Sequence, residues 1–117
     1  MKNETKQNRK EWYVMVDIQD YRRFLEGRSK SDITKIKVTG KDMASVTAAV
    51  REQMAAVKEA SQMILTIEAR DADRLLLDDV NNLLAAVTQS AHKPTCIWGT
   101  ASNPDAAENF SVAVYVA

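Results

Sequence analysis

The spacing of apolar and polar positions changes period several times along the chain, and each change marks an element. Residues 63–67 (MILTI) form a short, apolar, partly β-branched run that suits a strand buried on both faces. A charged turn over 68–74 follows. Leu76, Leu77, Val80, Leu83, Leu84 and Val87 then recur at helical spacing, which predicts a helix with one stripe facing a core. Asp73, Asp78 and Asp79 cluster near its start, where carboxylates cap free amides and favour the positive end of the helix dipole. Beyond Pro94 two more extended runs are predicted, at 95–98 and 110–116, joined by a polar loop over 99–109.

Upstream, residues 34–39 alternate cleanly. Ile36 and Val38 fall on one side and Lys35 and Lys37 on the other, a strand with one solvated face that Gly40 closes. Lys41 or Asp42 opens a second helix with the stripe Met43, Val46, Val50, Met54 and Val57, predicted to end near Ala60. Its many alanines supply helix propensity and permit close packing. Order is expected to begin at the β-favouring run 12–16. Ile18, Tyr21 and Leu25 then share helical spacing in a helix of about two turns, with Asp17 placed as its cap and Gly27 as its stop.

Residues 1–11 are almost entirely polar and read as a flexible arm, leaving 12–117 as a single domain. Two long amphipathic helices need a common surface to cover. The expected fold is α/β (α+β): a single-layer, four-stranded mixed sheet with both long helices on one face, plus the short N-terminal helix.

Composition narrows the range of partners. The 117 residues carry 16 basic and 16 acidic side chains, so no net charge draws the chain to nucleic acid or to an anionic membrane. No apolar run approaches the length of a membrane span, and a cytoplasmic location is expected. The single cysteine, Cys96, has no polar neighbour in its run and reads as a small packing residue.

Three segments, in order, resemble the C-terminal domain of FtsZ, the tubulin-like GTPase that polymerises at the bacterial division site. Lys37, Val38, Thr39 and Gly40, before the alanine-rich helix, are similar to a strand and turn of that family. Leu76, Leu77, Asp78, Asp79 and Val80 look like the start of its next helix. Cys96, Ile97, Trp98 and Gly99, leading to Asn103, Pro104 and the valine-rich end, are similar to its hairpin and closing strand. The resemblance also implies a role for the segment from Met15 to Asp20. Asp17 and Asp20 match the two acids of the family's synergy loop, which enters the nucleotide pocket of the next subunit, while Met15 stands where the family has asparagine. Two carboxylates three residues apart share one side of a helix start, where they can orient a water beside a phosphate. The simpler alternative is that Asp17 caps the helix and Asp20 is a solvated acid.

Nothing resembles the glycine-rich phosphate loop of tubulin-like GTPases, and the chain holds three glycines. Neither the nucleotide-binding domain nor the family's tail peptide is recognisable, so no autonomous GTPase activity and no cofactor are expected. His92 lacks a second histidine or a nearby cysteine, and Asp71, Asp73, Asp78 and Asp79 lack calcium-loop spacing, so no metal is expected. Arg22, Arg23 and Arg28 form a small basic cluster that either binds an anion or is a solvated face. Trp12 and Trp98 read as core or interface anchors.

The leading expectation is a non-catalytic interaction domain that pairs with itself, as a homodimer or higher oligomer, or binds a tubulin-like division filament. The alternative is a small-ligand binder or enzyme with its site at a subunit boundary of a symmetric oligomer, where Arg22, Arg23, Arg70 and Arg74 are the anion-binding candidates. A third reading is a remnant of a longer protein.

Overall fold

A computed structural model describes residues 11–14, 18–57, 60–90 and 95–117. The elements follow the chain as β1 (Glu11–Val14), α1 (Ile18–Leu25), β2 (Thr34–Gly40), α2 (Met43–Met54), β3 (Gln62–Ala69), α3 (Leu77–Ser90), β4 (Thr95–Ser102) and β5 (Phe110–Val116). The four expected strands form one mixed sheet, and the run beginning at residue 12 adds a fifth at its margin, giving the order β1-β4-β3-β5-β2. β3 runs parallel to β4 and antiparallel to β5, while β2 is antiparallel to β5. β1 joins β4 through a short ladder whose register shifts between Trp12 and Val14. One extra residue there makes a bulge, a common device at sheet edges. Apart from Glu11, the arm lies outside the described residues.

The connectivity explains why both long helices share one face. β2 and β3 point the same way, since each is antiparallel to β5, so β2-α2-β3 and β3-α3-β4 are both parallel crossovers. Both steps move in the same direction across the sheet. With the common crossover handedness, α2 and α3 must fall on the same side. There they pack against each other. Met43, Val46, Val50 and Met54 of α2 and Val80, Leu83 and Val87 of α3 close over Ile36, Val38, Met63, Leu65, Ile67, Val112 and Val114.

The side chains of β3 alternate between two cores. Met63, Leu65, Ile67 and Ala69 belong to the α2–α3 side. Ile64 points the other way and meets Phe24 of α1, with Tyr21, Ile33, Ile97 and Tyr115 around them. Burial of β3 on both faces therefore stands as the sequence predicts.

Local details correct the reading in four places. α2 stops at Met54, not near Ala60, because its last turn tightens: the Ala56 N–H donates to the Gln53 carbonyl and the Val57 N–H to that of Met54. On α1 the buried aromatic is Phe24, while Leu25 is exposed. Leu76 and Leu77 stand in solvent at 59% and 71% exposure, outside the buried stripe of α3. β4 and β5 are not a paired hairpin as the resemblance implied, since β3 lies between them.

The helix caps follow the sequence more closely. The Asp42 carboxylate accepts the Ser45 amide at 2.7 Å, and this bond holds its pKa below the ordinary aspartate value. Asp79 accepts from the Leu76 amide at 3.2 Å, one residue before α3. Gly27 ends α1 with φ of 72°, a left-handed backbone that glycine adopts without strain.

Gly40 does different work. A Cβ built there would lie 2.9 Å from Cγ2 of Val46, a buried, β-branched side chain with little freedom to move. Gly40→Ala is therefore expected to cost about 1–3 kcal/mol in urea unfolding through overpacking where β2 meets α2. A change within error of zero would show that α2 can shift away from the strand.

Candidate functional site

Four regions gather polar or exposed apolar groups: α1, the start of α3, the end of the sheet where β3 leaves it, and a depression between β2 and α2.

α1 carries the acids and arginines singled out in the sequence. Asp20 sits half-buried in its first turn, and Arg22 and Arg23 are exposed in its last. Consecutive helical residues diverge by about 100°, so their side chains leave the helix in different directions. Arg28 has a structural task. Its Nη1 donates to the Phe24 carbonyl and, at 2.8 Å, to Oε1 of Gln62, and its guanidinium lies 5.2 Å from the Phe24 ring centroid. Arg28 is thus engaged within the fold, while Arg22 and Arg23 lie on the exposed surface of α1. Asp17, the partner of Asp20 in the synergy-like reading, lies outside the described residues, as does His92.

Beneath α1 the rings of Tyr21 and Tyr115 meet edge to face, 6.5 Å apart at 84°. Burial first, and the neighbouring Tyr115 second, push the Tyr21 phenol above its ordinary pKa. On the opposite face Cys96 and Trp98 are half-buried against the α2–α3 core. Burial pushes the Cys96 thiol up to about 11, which keeps it protonated and unreactive at neutral pH. Both residues pack, as the sequence implied for Cys96.

The end of the sheet is built around Arg70. Because β3 separates β4 from β5, the 103–109 connection must cross the end of β3. Arg70, the first residue past that strand, fastens it. Its Nε donates to the Ala106 carbonyl at 2.9 Å, its Nη2 donates to that of Ala107, and its backbone N–H donates to the Asn109 carbonyl at 2.8 Å. Asn103 anchors the other side, donating its amide to the Ala69 carbonyl and its side-chain Nδ2 to Glu68. Asn109 in turn donates through Nδ2 to the Lys41 carbonyl at 3.0 Å, tying the loop to the end of β2. A cleft of about 260 Å³ opens there, lined by Arg70, Asp71, Arg74, Asn109 and Phe110. Arg70 and Arg74 were legible as anion-binding candidates. The contribution of Asn109 and Phe110 was not, because it depends on which strand lies beside β3.

A wider depression of about 720 Å³ lies between the start of β2 and the end of α2, with Asp32, Lys35 and Glu52 among its lining. Asp32 is committed to a short 3-10 turn, Lys30–Asp32, accepting the Ser29 amide at 2.8 Å, a bond that lowers its pKa. Its mixed charges point to no particular ligand. Among the described residues no three His, Cys, Asp or Glu side chains gather as a metal site, and no helix is long and apolar enough to cross a membrane.

Compared with known proteins, the chain matches no family model and no curated relative.

Proposed function

We propose that the chain is a non-catalytic interaction domain resembling the C-terminal domain of FtsZ, acting in the cytoplasm by association with a second copy or with a tubulin-like division filament. The observation that carries this reading is the pair Leu76 and Leu77. Two adjacent large apolar side chains stand in solvent at the mouth of α3, where each leaves its apolar area uncovered. The strand–helix–strand–helix–strand–strand order from β2 to β5, with both long helices on one face, supports the fold part of the resemblance.

The test is sedimentation of the protein alone across concentration, and then with FtsZ from the same cell and GTP, while phosphate release is followed. Wild type should sediment above the mass of one chain or travel with the polymer, and Leu76→Glu/Leu77→Glu should do neither. An Asp17→Ala/Asp20→Ala variant reports separately on the synergy-like acids: loss of an effect on GTP turnover assigns them that work in trans. A wild-type protein that stays monomeric at high concentration and ignores the filament would sink the proposal.

A further inference from the structure

We infer that the cleft between Arg70 and Arg74 is a binding site for a small oxyanion, a carboxylate or phosphate carried on a compact molecule. This assignment does not rest on the filament reading and stands or falls separately.

Position is the first support. β2, β3 and β4 are parallel, and the cleft opens where β3 ends and β5 begins, beside the end of β2. Doubly wound α/β sheets hold ligands at the carboxyl ends of their strands, where crossovers part to opposite faces. Here both crossovers share one face, and the crevice lies instead where the 103–109 connection crosses the end of β3.

Charge is the second. Two guanidinium groups line one small cleft with a single carboxylate, Asp71, between them. Asp71 answers only part of that charge. Its Oδ2 lies 3.8 Å from Arg74 Nε, well beyond a charge-assisted hydrogen bond, and both side chains are more than half exposed, at 73% and 57%. Its Oδ1 already accepts the Asp73 amide at 3.1 Å. An arriving oxyanion therefore displaces little when it takes Arg74.

Preorganisation is the third. Arg70 is held in place by the two loop carbonyls on Nε and Nη2, and among the described residues its Nη1 has no partner. A guanidinium fixed in this way loses less side-chain freedom on binding than a solvated one. Arg74 then supplies the mobile second fork, and Phe110 gives the cleft an apolar wall. The cleft's volume of about 260 Å³ is ample for a small anion.

The experiment titrates the whole protein with inorganic phosphate and, separately, with malonate, reading backbone amide shifts by NMR. Saturable shifts centred on Arg70, Arg74 and Asn109 are expected with at least one of them, and the anion that binds more tightly identifies the chemistry of the ligand. Arg74→Gln should weaken that binding about tenfold while leaving the fold intact, since its side chain is exposed. Asp71→Asn should tighten it by removing the competing carboxylate. Absence of saturation with both anions, shifts centred on Arg22 and Arg23, or unchanged affinity in Arg74→Gln would each overturn the assignment.

Discussion

Leu65→Ala is expected to lower stability by about 3–4 kcal/mol, a large share of what a domain of this size possesses. Leu65 is fully buried on β3, between Trp98 of β4 and Val114 of β5 in the ladder, and beneath α2 and α3. Truncation removes the transfer energy of the lost carbons and leaves a cavity as well. That cavity collapses poorly, because hydrogen-bonded ladders on both sides pin β3. The melting temperature should fall by roughly 10–25 °C. Leu77→Ala, at concentrations dilute enough to keep the chain monomeric, is the matched control: the same atoms leave a side chain that is 71% exposed, so stability should change by less than about 0.5 kcal/mol. Similar losses in the two variants would mean that Leu77 is buried in solution, as a dimer would bury it, and the concentration dependence of melting would then separate folding from association.

The contrast between those leucines shows how far the sequence could be read. Where one periodic pattern met one surface, the elements were legible: Lys35 and Lys37 against Ile36 and Val38 on β2, the Met43–Val46–Val50–Met54 stripe of α2, and the Asp42 cap. Leu76 and Leu77 fit the stripe of α3 by spacing yet fall where the helix begins, beyond the surface it covers. Spacing reports which side of a helix a residue occupies, and not whether anything lies beneath it. The end of α2 was missed for a related reason: alanines at 55 and 56 favour helix, and only the tightened final turn ends it. Strand order was beyond a local reading altogether. Placing β3 between β4 and β5 is a non-local choice, and from it follow the loop crossing, the clamp by Arg70 and the cleft. Of that site the two arginines were visible in advance, and Asn109 and Phe110 were not.

Phe24→Ala is expected to release α1 while the sheet and the two long helices stay folded. α1 has eight residues, too few to hold together in water without tertiary contacts. Its hold on the sheet runs through Phe24, 4% exposed against Ile64, with Tyr21 beside it and Arg28 resting on the ring. Removing the ring takes away the apolar contact and the cation–π contact together, about 3–4 kcal/mol at the docking surface. The larger core on the opposite face contains no residue of α1, so it has no reason to open. Hydrogen exchange should therefore show lost protection at the amides of α1 and retained protection in β3 and β5, with a smaller drop in melting temperature than Leu65→Ala gives. Phe24→Leu, which keeps an apolar side chain in the pocket, should restore much of that protection. Loss of protection in β3 in step with α1 would instead place the helix inside the cooperative unit. The acid and arginines it carries, Asp20, Arg22 and Arg23, would then be fixed on a rigid surface, and a partner reading them would meet them already in position.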